Sequence, residues 1–310
     1  MPSSHRSPHI PDWDTAARAH GGRASLLPVS RLGELRQLIL RAAGENELNG
    51  FQRWIVEDMY RFDPPAPSAG SVLLLALPHP FYADVRFSHG GREFVFPCPV
   101  ALNPSASRAW VDEAASRAGF RLWPAERLPL KRVAVHSGLA KYGRNNLAYV
   151  PGLGSNLCFV AFFTDCPCES DPWTTDVAAP ECAGCGRCVR ACPTGAILPG
   201  RFLIDNLRCL SCLNESPDEF PDWLPAEAHH TLYDCLRCQQ ACPMNEGRLN
   251  KAEDEVWFSA EDTDRLLNGG ALSSFSPDAR RKFAYLGLEP WFGAIPRNLR
   301  ALINGAAHQP

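Results

Sequence analysis

The chain has 310 residues, 45% of them hydrophobic, with 31 Lys and Arg against 34 Asp and Glu and a net charge of −3. That length can bury one large core or two ordinary ones, and no basic excess announces a nucleic-acid surface. The longest apolar run, residues 72–77, is far short of the roughly 20 residues a spanning helix requires, so no membrane segment is expected.

Residues 1–25 begin with Pro, Ser and His and contain no apolar core of a signal peptide. They are expected to be disordered or loosely attached. The spacing of Leu32, Leu35, Leu38, Ile39 and Ala42 predicts a helix over residues 30–43, with Ser30 as N-cap and Gly44 as stop. Residues 49–60 read as a second helix, ended by the Asp63-Pro64-Pro65 break. Residues 71–77 read as a buried strand closed by Pro78, and residues 93–96 as a shorter one. Asn103-Pro104-Ser105 starts a helix that runs to Ala118, with Gly119 at its end. Residues 131–136 alternate weakly and read as a strand. Residues 157–163 are strongly apolar and read as a central strand. From Pro180 the character changes to cysteine, proline and short turns, up to about Asn245. Helical pieces follow over residues 262–267 and 296–303. The expected organisation is α+β: a loose segment over 1–25, an α+β domain over 26–178, a cysteine domain over 179–248, and a helical segment over 249–310 that packs on the core.

The thirteen cysteines include two patterned sets. Cys182, Cys185, Cys188 and Cys192 stand as C-x2-C-x2-C-x3-C-P, closed by Pro193. Cys235, Cys238 and Cys242 stand as C-x2-C-x3-C-P, closed by Pro243. This spacing belongs to ferredoxin-type ligation of two 4Fe–4S clusters, in which the last cysteine of each run crosses to the other cluster. Zinc sites use closed pairs without the crossing cysteine, and disulfide frameworks suit small secreted chains. Cluster one closes from Cys182, Cys185, Cys188 and the crossing Cys242. Cluster two has Cys235, Cys238 and the crossing Cys192 but lacks a thiolate, because the position three residues before Cys235 is Leu232. Cys209 and Cys212 lie between the sets, and either can return as the fourth ligand. Such a chain handles electrons singly, and its clusters favour a reducing cytoplasm.

Some 180 residues precede the first motif cysteine, more than a ferredoxin needs. Their densest stretch is residues 136–146, followed by Gly152-Leu153-Gly154-Ser155. Glycines permit positive φ and close backbone approach to a ligand. Asn145, Asn146 and Ser155 bring donors and acceptors, and Arg144 can hold an anion or carboxylate. Composition alone leaves an ordinary turn between strands as the alternative.

These residues carry a resemblance. Gly138-Leu139-Ala140-Lys141-Tyr142-Gly143-Arg144, then Gly154-Ser155, then Asp165 resemble the G-L-G-W-x-G-K…G-S…D segment of the epoxyqueuosine reductases. The crossing cysteines and Arg208-Cys209 are similar to that family's cluster domain. Pro296-Arg297-Asn298-Leu299-Arg300-Ala301-Leu302 resembles its R-N-L-x-x-A-L-G helix. The reductive dehalogenases are more distant kin. The resemblance implies a nitroreductase-like α+β domain that binds cobalamin, followed by the two-cluster ferredoxin-like domain. Gly138, Tyr142, Gly143, Arg144, Asn145 and Ser155 would line the corrinoid, and Cys209 would be the recruited ligand of cluster two. A ferredoxin or flavodoxin would supply electrons, and an organic substrate, with epoxyqueuosine in tRNA as the named example, would receive them. The net charge lends no support to tRNA as a partner.

This chain departs from the pattern at two places that matter. The counterpart of the family's proton-donating aspartate is Pro124, with Glu126 the nearest carboxylate, so Glu126 would need a pKa raised by burial to serve as general acid. The aromatic loop position is Tyr142, whose phenol is a second candidate proton donor, or a residue that packs on the corrin. His136 adjoins the loop and is expected to act behind a cofactor rather than as a cobalt ligand. His79 stands at a strand end. Cys166-Pro167-Cys168 is either a redox pair or two buried thiols, and Cys98 and Cys158 read as core residues. The competing readings of another class are a two-cluster electron carrier and a corrinoid-reducing partner with no substrate chemistry of its own.

Overall fold

The computed structural model describes residues 10–78, 82–100, 104–200, 203–253 and 255–307. Nine strands occur among them: β1 Arg23–Pro28, β2 Ser71–Pro78, β3 Tyr82–His89, β4 Arg92–Pro99, β5 Leu122–Pro124, β6 Lys141–Tyr142, β7 Ala148–Tyr149, β8 Leu157–Thr164 and β9 Val256–Phe258. The content is mixed α and β, and the chain divides into two compact units: residues 1–78 with 103–182, and residues 79–102 with 183–310. This division differs from the expected domains, since the segment carrying β3 and β4 joins residues 183–310 and Cys182 stays with the first unit.

The first unit is built on an antiparallel sheet of order β1-β2-β8-β5. Strand β2 is buried from Ser71 through Leu77, as its unbroken apolar run requires. Helix Arg31–Glu45 follows Ser30 and buries Leu32, Leu35 and Ile39. The predicted helix over 49–60 is two pieces: an α-turn Gly50–Trp54, started by a reciprocal Asn49–Gln52 capping box, and a π-helical turn Ile55–Met59.

Two expectations are corrected in this unit. Residues 12–25 are not loose. Asp12 caps helix Trp13–Ala19 through the Thr15 amide at 3.0 Å, and β1 pairs along β2. Gly22 makes that approach feasible, because a Cβ there would stand 2.8 Å from the Ala76 carbonyl oxygen. Residues 131–136 are not a strand but lie in helix Leu130–His136. Burial of Val133, Ala134, Val135 and His136 outweighs the β preference of its valines.

In the second unit β3 pairs antiparallel with β4 and parallel with β9. The β3–β4 turn places Gly90 and Gly91 at φ +58° and +74°, the positive-φ pair a two-residue hairpin favours. Phe87, Phe258 and Phe283 stack through the core, with centroids 5.3 and 4.7 Å apart. Helices Ala260–Leu267, Pro277–Tyr285 and Ile295–Ala307 complete it, and Leu299 and Phe283 are fully buried in its core. Short helices Arg187–Ala191, Leu210–Glu215 and Arg237–Gln240 carry or flank the cysteines. No helix among the described residues is long and apolar enough to cross a membrane.

Candidate functional site

All thirteen cysteines are free thiols, so no disulfide framework forms. Gly184 and Gly186 hold φ of +69° and +62° and turn the chain between Cys182, Cys185 and Cys188. Cys192 is partly buried, which raises its pKa. That effect is outweighed by hydrogen bonds from the Thr194 amide and hydroxyl and from the Ile197 and Ala196 amides, so the thiol lies below its ordinary range. Burial pushes Cys209 up to about 11 and Cys235 up to about 12. Both are also raised by the charges of Asp234 and Cys192, and Cys235 by that of Cys209. Thiols are the donors a 4Fe–4S cluster takes, although among the described residues no three His, Cys, Asp or Glu side chains stand together as a metal site. Cys212 is raised by burial and by Glu215 and is not coupled to Cys192 or Cys235. Asp234 Oδ1 accepts from Ser211 Oγ and from the Cys235 amide, so the helix that begins at Cys209 is tied to the loop that leads into Cys235.

The glycine segment meets Cys182 through Arg144. The Arg144 amide donates to Cys182 Sγ at 3.4 Å, and the Arg144 guanidinium donates to the Cys182 carbonyl at 3.4 Å. Gly143 is required for this loop: a Cβ there would collide with the Tyr149 ring and with Asn145 Oδ1. Asn145 is buried and donates from Nδ2 to the Tyr149 hydroxyl at 2.8 Å, while Lys131 Nζ donates to the Asn146 carbonyl at 3.0 Å. Asn146 holds a φ of +62°, unusual for a residue with a side chain. Of the predicted corrin-lining residues, Gly138 is exposed and Arg144 half-buried, whereas Tyr142, Gly143, Asn145 and Ser155 are buried.

The two candidate proton donors differ sharply. Glu126 is exposed, on the wall of a cavity of about 240 Å³ shared with Arg61, Asp63, Arg127 and Phe163, so the burial expected of a general acid is absent. Tyr142 is 5% exposed, and burial pushes its phenol up to about 12 despite the Arg132 guanidinium 5.1 Å from its ring centroid. His136 stacks on Trp173 at 4.8 Å and directs Nδ1 at the Thr174 carbonyl, 2.8 Å away. Its buried Nε2 has no hydrogen-bond partner. Burial holds its pKa below the usual histidine value. His79 lies outside the described residues.

Asp165 is bound by the Arg121 amide and Nε at 2.7 and 2.9 Å. Cys166 and Cys168 are both raised by burial, as core thiols are. Several basic residues of helices Pro277–Tyr285 and Ile295–Ala307 are engaged. Arg281 and Lys282 pair with Asp278. Arg297 stacks 3.6 Å from the Phe220 centroid, and Arg300 donates to the Leu267 carbonyl at 2.6 Å. Sequence reasoning missed Asp234, Asn214 and the role of Asn298, which bind backbone around Cys209 and Cys235. The signal was the Arg297-Asn298 pair, which reads as surface in a linear sequence.

Residues 181–245 match the family model described as a 4Fe-4S double cluster binding domain. The epoxyqueuosine reductase of Listeria monocytogenes is 35% identical over 115 residues, 37% of this chain and 29% of that protein. That of Bacillus subtilis is 28% identical over 174 residues, 56% of this chain and 43% of that protein. The chain therefore spans less than half the length of these first curated relatives. The epoxyqueuosine reductase of Bacillus cereus is 23% identical over 297 residues, 91% of this chain and 75% of that protein. Two solved structures share the fold at 21% identity, each covering 94% of this chain and 80% of the other. They are epoxyqueuosine reductase from Bacillus subtilis, with a TM-score of 0.64, and an epoxyqueuosine reductase with an epoxyqueuosine-modified tRNA-Tyr stem loop, with a TM-score of 0.67. The chain thus carries a double 4Fe–4S cluster domain and is similar in sequence and fold to the epoxyqueuosine reductases.

Proposed function

We propose that this protein is a cobalamin-dependent reductase in which two 4Fe–4S clusters pass electrons to a corrinoid held by the glycine segment of a nitroreductase-like α+β domain. The observation that carries the reading is the hydrogen bond from the Arg144 amide to Cys182 Sγ, because it joins the predicted cofactor loop to the first predicted cluster ligand. The ligands are Cys182, Cys185, Cys188 and Cys242 for one cluster, and Cys192, Cys209, Cys235 and Cys238 for the other. Cobalamin, when bound, supplies a strongly reducing cobalt centre suited to opening a carbon–oxygen or carbon–halogen bond.

Gly138, Tyr142, Gly143, Arg144, Asn145 and Ser155 are the residues that would hold it. One feature of the structure fits such a guest: beside Gly138, the buried Nε2 of His136 has no partner and can accept from an amide N–H of the kind a corrin periphery carries. Tyr142 is the proton donor we carry forward. With its phenol pushed up to about 12 it keeps its proton across the neutral range and can deliver it only to a strong base. The exposed Glu126 lacks that protection. Epoxyqueuosine in tRNA is the substrate proposed, by analogy with the named relatives. A ferredoxin or flavodoxin would supply electrons, in the cytoplasm.

The test is an anaerobic titration of protein carrying both clusters with cob(II)alamin, followed by visible absorption, and then turnover on epoxyqueuosine-containing tRNA. Saturable spectral change with deoxygenation of the epoxide is expected. No spectral change overturns the reading, and full electron transfer without corrinoid marks an electron carrier instead.

A further inference from the structure

Helix Leu210–Glu215 begins at its N-cap, Cys209, so the placement of this helix sets the Cys209 thiol. Neither its length nor its sequence fixes how it meets the loop before Cys235. A set of polar bonds does. Asn298, 1% exposed on helix Ile295–Ala307, donates from one amide nitrogen to two carbonyls: Asn214 at 2.8 Å, on the helix, and Leu232 at 3.0 Å, on the loop that leads into Cys235. Its Oδ1 accepts from Arg297, whose NH2 also donates to the Leu213 carbonyl at 2.8 Å. From the other side, Asn214 Nδ2 donates to the Asp234 carbonyl at 2.8 Å. Asp234 Oδ1 accepts both from Ser211 Oγ, two residues beyond Cys209, and from the Cys235 amide at 2.7 Å. Asp234 does this at a φ of +59°, a left-handed conformation that a residue with a side chain adopts only when its surroundings hold it there.

These bonds end on the peptides that flank Cys209 and Cys235, not on the aromatic core beneath. We infer that Asn298 and Asp234 are positioning residues that clamp the Cys209 helix to the Cys235 loop and so complete the second cluster. Asn298→Ala removes the donor to the buried Asn214 and Leu232 carbonyls, and Asp234→Ala removes the acceptor for Ser211 Oγ and the Cys235 amide; either loss favours opening of the helix away from the loop. These bonds end on Ser211, Leu213, Asn214, Leu232, Asp234 and Cys235, none of them a ligand assigned to the first cluster, so that cluster should survive the loss.

The inference rests on Cys209 as the fourth ligand. Full-length Asn298→Ala, Asp234→Ala and Asp234→Asn are reconstituted anaerobically beside the parent chain and Cys209→Ser. Iron and acid-labile sulfide are counted, and the reduced proteins are examined by electron paramagnetic resonance. The parent chain should bind two clusters' worth of iron and show a spin-coupled pair, and Cys209→Ser one cluster and an uncoupled signal. Should Cys209→Ser instead keep both clusters, the ligand reading fails and the clamp with it. Asn298→Ala and Asp234→Ala should match Cys209→Ser with unchanged circular dichroism. Asp234→Asn, which keeps the Oδ1 acceptor, should restore the coupled spectrum. The inference is overturned if both alanine variants keep two clusters with the parent spectrum. It is overturned equally if they lose both clusters together with their helical signal, since that is a general structural role.

Discussion

The amide of Arg144 donates to the sulfur of Cys182 across 3.4 Å, although 38 positions separate the two residues. Reduction of a cluster adds negative charge that spreads onto its thiolates, and an N–H aimed at a ligating sulfur stabilises the reduced form. Under the proposed ligand set, this bond would link the glycine loop to the potential of the first cluster.

Gly143→Ala tests the link. The new Cβ meets the Tyr149 ring, so the loop must move and carry the Arg144 amide away from Cys182. A neutral hydrogen bond of about 1 kcal/mol corresponds to a fall on the order of tens of millivolts in one cluster's potential. Redox titration monitored by electron paramagnetic resonance measures it, and an unchanged potential would show that the bond does not tune the cluster.

Cys209→Ser and Cys212→Ser should differ. Under the proposed ligand set, the first variant loses about half the iron and the second keeps it. The reverse pattern would transfer the ligand role to Cys212.

Proton donation separates Tyr142 from Glu126. Tyr142→Phe should lower kcat by about 100-fold while leaving corrinoid affinity near that of the parent, the mark of a lost acid rather than a lost contact. Glu126→Gln, at an exposed position, should stay within about threefold. Equal losses in both variants, measured as turnover at saturating substrate, would contradict this.

Glu215 gives a pH signature. Burial, and next to it the Asp234 charge, raises its carboxyl from 4.5 to about 7. The folded chain therefore holds a proton that the unfolded chain has released between those values. Stability from this group is present below pH 4.5 and is lost as pH rises through 7. Glu215→Gln should raise stability at pH 8 by roughly 1–3 kcal/mol and by nothing near pH 4. Denaturant unfolding at the two pH values checks it, and an equal gain at both would exclude the carboxyl's ionisation as the cause.

Much of the first unit could be read locally. The continuous apolar runs over 71–77 and 157–163 became β2 and β8, which pair side by side, because a strand buried on both faces has no polar alternation to hide it. Leu32, Leu35 and Ile39 show the helical period in the sequence and face the core in the structure. Where reading failed, the cause lay at a distance. Helix Leu130–His136 looks β-like because Val133 and Val135 are β-branched, and only its enclosure decides otherwise. Strand β1 has no strong pattern of its own and exists because β2 offers an edge and Gly22 lets it approach.

The sequence by itself determined the double-cluster domain, because ligand spacing along a short turn is a local property of the chain. It also showed that the second cluster needs one more thiolate, which is a matter of counting. How the Cys209 helix meets the Cys235 loop was decided by tertiary structure, through Asn298, remote in sequence, and Asp234, beside Cys235, whose side chains bind the helix and the loop. The same holds for the two candidate acids. Tyr142 and Glu126 look equally available along the chain, and only burial, which depends on everything packed around them, separates a protected phenol from a solvated carboxylate.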